Sequence, residues 1–127
     1  MKLKLALMFT IGTTCFSCEK QSQSPSPDIL NLSGCGVNNP VKELKWLSDE
    51  VKTLTGGEKL SGVVLFQYQN KELIEIQGSV FSSTNLHQYN CDGTKLDFSS
   101  SDQAYKNFKE YLQNRKEVKV LWGTKMW

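Results

Sequence analysis

The sharpest chemistry in this chain of 127 residues belongs to one histidine, His87, and four cysteines, at positions 15, 18, 35 and 91. A single histidine confines any Ser-His-Asp or Cys-His arrangement to His87, because those mechanisms need an imidazole to move the nucleophile's proton. No GxSxG elbow accompanies it, nor an HExxH pair or a glycine-rich phosphate loop, and Thr55-Gly56-Gly57-Glu58-Lys59 lacks the Walker spacing. Glu72 and Glu75 lie three apart on what reads as a strand, so they point to opposite sides and make a poor acid–base pair. Cys35, His87, Cys91 and Asp92 are chemically adequate metal ligands, but no CxxC spacing is present among them. The expectation is therefore no metal, no cofactor and a polar loop or strand-edge histidine. A small envelope hydrolase using His87 stands as the alternative reading.

The two earliest cysteines lie in or beside a candidate leader. Met1 to Lys4 is a short basic start, and Leu5 to Phe9 with Ile11 is an apolar stretch that fades into Gly12, Thr13, Thr14, Cys15, Phe16 and Ser17. This is signal-peptide anatomy, and the run is far short of a membrane-spanning helix. Phe16-Ser17-Cys18 resembles the lipobox of bacterial lipoproteins, with Cys15 standing where Leu is usual. The resemblance implies cleavage after residue 17 and a diacylglyceryl thioether on Cys18. Cys15 is the alternative lipid site, but Thr14 before it is a poorer fit. Glu19 replaces the Asp that often marks inner-membrane retention, which directs the expectation to the outer membrane, on its periplasmic face or at the cell surface.

Removing the leader changes two readings. Lys2 and Lys4 account for the formal net charge of +2, so the remainder balances its acidic and basic side chains and offers no basic stripe for nucleic acid. Only Cys35 and Cys91 then remain free. Export to an oxidising compartment leaves them one disulfide to form.

Positioning these residues needs a fold. Glu19 to Asp28 (EKQSQSPSPD) is polar, lacks apolar periodicity and reads as a tether, which divides the chain into a leader 1–17, a lipidated cysteine and tether 18–34, and one domain 35–127. Asn39-Pro40 is a helix start, and Val41, Leu44, Leu47, Val51 and Leu54 form one apolar stripe ended by Gly56-Gly57, with Trp46 flanking it. Val63 to Gln69 and Leu73 to Gln77 read as a hairpin, and His87 to Cys91, Asp92-Gly93, Thr94 to Phe98 as a second. Ser100 with Gln103 resembles a capping box before an amphipathic helix carrying Ala104, Tyr105, Phe108, Tyr111 and Leu112, and Val118 to Trp122 alternates as a last strand. The order predicts an α+β domain: a small antiparallel sheet of four to five strands with two helices on one face. One-sided cover would leave Val63, Leu65, Leu73 and Leu121 as an apolar strip on the open face, a candidate partner surface.

Cys35-Gly36-Val37, Asn39-Pro40 and Leu44-x-Trp46-Leu47, followed by Tyr89-x-Cys91-Asp92-Gly93, resemble a group of small uncharacterised lipoproteins from Bacteroidota-type Gram-negative bacteria. That likeness implies the address and the disulfide and carries no activity. Tyr89-x-Cys91-x-Gly93 is also similar to the strand motif of membrane-bound lysozyme inhibitors, although those are β-barrels without two amphipathic helices, and their Ser/Gly-rich inhibitory loop has no counterpart here. The resulting expectation is a membrane-anchored envelope module that binds or inhibits an envelope protein, not nucleic acid.

Overall fold

Val63-Val64-Leu65-Phe66 is apolar at four consecutive positions, and a strand of that kind is stable only when both of its faces are covered. The computed structural model, which describes residues 31–127 and Gly12 alone before them, buries all four side chains in this way. They lie in β1 (Ser61–Tyr68), which pairs antiparallel with β2 (Lys71–Gly78) on one side and β4 (Lys116–Gly123) on the other. Strand β3 (Gln88–Asn90) pairs antiparallel with β2, giving the order β3-β2-β1-β4. The β1–β2 turn places Gln69 and Asn70 at φ of 50° and 61°, the left-handed pair that a tight hairpin requires.

The α+β class and the four-stranded antiparallel sheet match the sequence-based expectation, whereas the placement of the helices does not. Helices α1 (Pro40–Glu43) and α2 (Lys45–Thr53) cover one face, where Leu47 meets Val63, Leu65, Ile74, Ile76, Tyr89 and Leu121. Helix α4 (Asp102–Asn114) covers the other, where Phe108 and Tyr111 meet Leu73 and Phe98. It carries the chain from β3 at one edge of the sheet to β4 at the opposite edge. A short α3 (Gly57–Leu60) precedes β1.

This two-sided cover overturns the expected partner strip. Val63 and Leu65 are 0% exposed, Leu73 and Leu121 3%. They do not even share a surface, since Leu73 belongs to the α4 side and the other three to the α2 side. Each such burial stabilises the fold by roughly 1.5–3 kcal/mol, which makes these residues core.

Smaller departures have local causes. The single helix expected from Asn39 is split at Leu44, whose extended backbone (φ −87°, ψ 107°) ends α1 and starts α2, and whose N–H still donates to the Pro40 carbonyl. Ser101, not Ser100, caps α4 by accepting from the Ala104 N–H, while Asp97 accepts the Ser99 and Ser100 amides in the preceding turn. Residues 31–34, assigned to the tether by sequence, begin the packed structure: the Gly34 N–H and carbonyl pair with Val37, and a Cβ on Gly34 would lie 2.7 Å from a Leu65 methyl. Cys15, Cys18, the rest of the expected tether and the expected leader apart from Gly12 fall outside the described residues.

Candidate functional site

The motifs at 35–47 and 89–93 are separated by about a third of the chain, and the fold brings them to one end of the sheet. Cys35 sits in the Gly34–Val37 turn at φ 53°, and its sulfur is bonded to that of Cys91 just past β3, with the two Cα atoms 5.5 Å apart. The Cys35 N–H donates to a carboxylate oxygen of Glu72 at 2.5 Å, and the Cys91 sulfur lies 3.4 Å from the Glu72 carbonyl oxygen. Trp46, from α2, donates its indole N–H to the Cys91 carbonyl at 3.0 Å and packs its ring 5.2 Å from that of Tyr89. Gly93 is required beneath it. A Cβ there would meet the indole at 2.8 Å, and the backbone has φ 89°.

The outer side of this cluster is a shallow depression of about 590 Å3 lined by Cys35, Lys71, Glu72, Asn90, Cys91 and Asp92. The Thr94 hydroxyl and N–H both donate to Asp92, and the hydroxyl contributes most to holding its carboxyl below the usual range. The depression thus presents two carboxylates, an ammonium and an amide around a half-buried disulfide. That arrangement suits charged and hydrogen-bonding recognition. It contains no imidazole.

His87 lies elsewhere. Its ring stacks on Phe81 with centroids 3.9 Å apart, and its carbonyl accepts the Ile76 N–H as β3 begins. Burial, then the charge of Lys95, lowers its pKa, so the ring favours the neutral form. The grouping of Cys35, His87, Cys91 and Asp92 is not assembled. Among the described residues the groups that do converge are Cys35, Cys91 and Glu72, their donor atoms all within 4.8 Å of one another.

A second cluster escaped the sequence reading. Glu75 is 0% exposed under α4, and its carboxylate accepts from Tyr111 Oη at 2.8 Å, Gln77 Nε2 at 2.8 Å, Trp127 Nε1 at 2.9 Å and Gln88 Nε2 at 3.2 Å, besides an ion pair with Arg115. Burial alone would raise its pKa, but the Arg115 charge and the hydrogen bonds outweigh burial and hold the carboxyl below its ordinary range. Tyr111 is pushed the other way, by burial first and by the Glu75 charge second. With both oxygens saturated by donors and no access to solvent, Glu75 has no free lone pair for substrate chemistry; it ties β2, β3, α4 and the C-terminal segment together. The available signal was the four-residue apolar run in β1, which implies a buried residue opposite Val64, and Val64 pairs with Glu75.

Among the described residues no helix is long and apolar enough to cross a membrane. No family model, no curated protein and no solved structure matches the chain.

Proposed function

We propose that this chain is an outer-membrane lipoprotein, anchored through Cys18, whose domain is a rigid interaction or inhibitor module that docks an envelope protein at its disulfide-bonded end. The observation that supports this reading is the convergence of Cys35, Trp46, Tyr89, Cys91 and Gly93 behind the depression at Lys71, Glu72, Asn90 and Asp92. A cross-link, an indole hydrogen bond and a ring contact immobilise a polar surface there, and preorganisation of that kind reduces the entropy lost on association. The kinship with small Bacteroidota-type lipoproteins belongs to the same proposal.

The open edge of the sheet is a poorer docking place. Along β4 the register with β1 shifts twice, around Leu121 and Val118, and Lys116, Glu117 and Lys119 line the strand. Bulges and charges at an edge oppose strand addition by a partner.

Photo-cross-linking in intact cells tests the docking surface. A photoreactive side chain at Asn90 is expected to capture one envelope protein, with capture lost on Lys71→Glu. The same probe at Lys109, on the exposed outer side of α4, is expected to capture none. Equal capture from both positions would sink the assignment. Metabolic labelling with a fatty-acid analogue tests the anchor, and the label should disappear in Cys18→Ser but persist in Cys15→Ser.

A further inference from the structure

We propose that Cys35, Glu72 and Cys91 form a redox-gated site for one thiophilic divalent cation of the zinc class, closed while the disulfide is intact and opened by a dithiol reductant. This stands apart from partner docking and does not need it.

Two thiolates and one carboxylate are an adequate set for such a cation, and the two sulfurs and a Glu72 oxygen already lie within 4.8 Å of one another. Donors bound to zinc at about 2.3 Å for sulfur and about 2.0 Å for oxygen stand roughly 3.3–3.8 Å apart at the corners of a tetrahedron. The two sulfurs must therefore separate once their bond is cut, and a Cα separation of 5.5 Å leaves side-chain rotation room to do so. Glu72 is already held beside Cys35 and closes the remaining distance by rotating its carboxylate. Its Oε2 is fixed by the Cys35 N–H, the kind of outer contact that orients a ligating carboxylate and leaves the other oxygen for the ion. Three protein donors leave a fourth position, which opens on the depression lined by Lys71, Asn90 and Asp92.

A dithiol transfers two electrons and two protons to the Cys35–Cys91 bond, itself becoming a disulfide, and leaves two thiols. Cation binding then displaces up to two thiol protons to solvent, so affinity rises with pH. A bound ion restores the link between residue 35 and residue 91 that reduction removes.

The test uses the full chain carrying Cys15→Ser and Cys18→Ser, which leaves Cys35 and Cys91 as its only cysteines, in detergent micelles, with cadmium as probe because its thiolate bonds absorb in the near ultraviolet. Reduced protein is expected to take up one cadmium per chain in a saturable titration, to release protons as it does so, and to give up the band to added zinc. Oxidised protein should show no band. Glu72→Gln should weaken the affinity by roughly tenfold or more, and Cys91→Ser should abolish the band. Circular dichroism of each reduced sample reports whether the fold persists. Absence of one-to-one uptake by the reduced protein overturns the proposal. So does uptake unaltered by Glu72→Gln, which is also the outcome if the reduced chain unfolds and binds the ion through its thiols alone.

Discussion

Glu75 accepts from five side chains drawn from β2, β3, the end of α4 and the C-terminal segment, so replacing one atom of it tests much of the fold. In Glu75→Gln the shape survives, but an N–H2 donor now faces donors and Arg115 keeps a half-buried charge without its anion. The expected loss is about 3–5 kcal/mol in urea unfolding at pH 7, the range for breaking a buried pair from one side. A loss below about 1 kcal/mol would show that the charge is dispensable. The pH dependence has a definite sign. Because the folded pKa lies below the unfolded value of about 4.3, Glu75 stabilises the fold above that pH, and the contribution is lost as pH falls through the folded value. His87 is also depressed, by burial and then by Lys95, so its stabilisation is present above the unfolded value of about 6.5 and declines as pH falls from there. Acid unfolding should therefore begin with a shallow dependence that His87→Phe removes and continue with a steeper one that Glu75→Gln removes. Urea midpoints measured from pH 8 to pH 3 separate the two, and identical profiles for wild type and both variants would refute the assignment.

At the scale of elements, the sheet is held from both sides, and each side has its own test. Phe108, 5% exposed, packs on Phe98 and Tyr111 beneath α4, so Phe108→Ala should cost about 3–5 kcal/mol through lost burial and the cavity left behind. Leu65 lies on the α2 side at 0% exposure, and Leu65→Asp should yield no folded protein by circular dichroism, because no partner is placed there for a buried carboxylate. A folded, soluble Leu65→Asp would revive a one-sided sheet. The β1–β2 hairpin, β3, β4 and the 3.6-residue stripe of α4 were legible in sequence because their periods survive single-residue reading, whereas the return strand expected at Thr94 to Phe98 is reduced to an isolated bridge between Lys95 and Tyr89. The second buried face was not, for a specific reason. On β2 it carries Leu73, Glu75 and Gln77, and β3 adds Gln88; the three polar residues are at most 1% exposed yet have the composition of a solvated face. Sequence alternation reports polarity, and burial follows polarity only where polar side chains lack internal partners. The break at Leu44 was hidden differently, since Leu44 keeps the spacing of the stripe while its backbone leaves the helix. For the candidate site, both cysteines and the flanking motifs are visible in sequence, but Glu72 reads only as half of a poor acid–base pair, because nothing local marks a strand carboxylate as the partner of a turn 37 residues earlier.

For the molecule as a whole, the disulfide is the strongest constraint outside the core. A domain of this size leaves a large part of its surface in water, so its net stability is small and one cross-link is a sizeable share of it. Cys35 and Cys91 are 56 residues apart, and in the chain-entropy account a loop of that length restricts the unfolded ensemble by about 4 kcal/mol. The bond also joins parts that the sheet alone does not: the turn leading into α1 and α2, and the end of β3 at the sheet's edge. The double variant Cys35→Ser, Cys91→Ser removes the link without leaving thiols to re-form it or to bind metal. Its guanidinium midpoint should fall by an amount equivalent to about 4 kcal/mol, and its denaturant slope should rise, because an unlinked unfolded chain exposes more surface than a looped one. The two readouts discriminate between origins. A fall in midpoint with an unchanged slope would place the effect in the native turn around Cys35, where the Glu72 hydrogen bond is also made, instead of in the unfolded chain. A midpoint that does not move would mean that Trp46, Tyr89 and Glu72 hold this end of the domain without the bond.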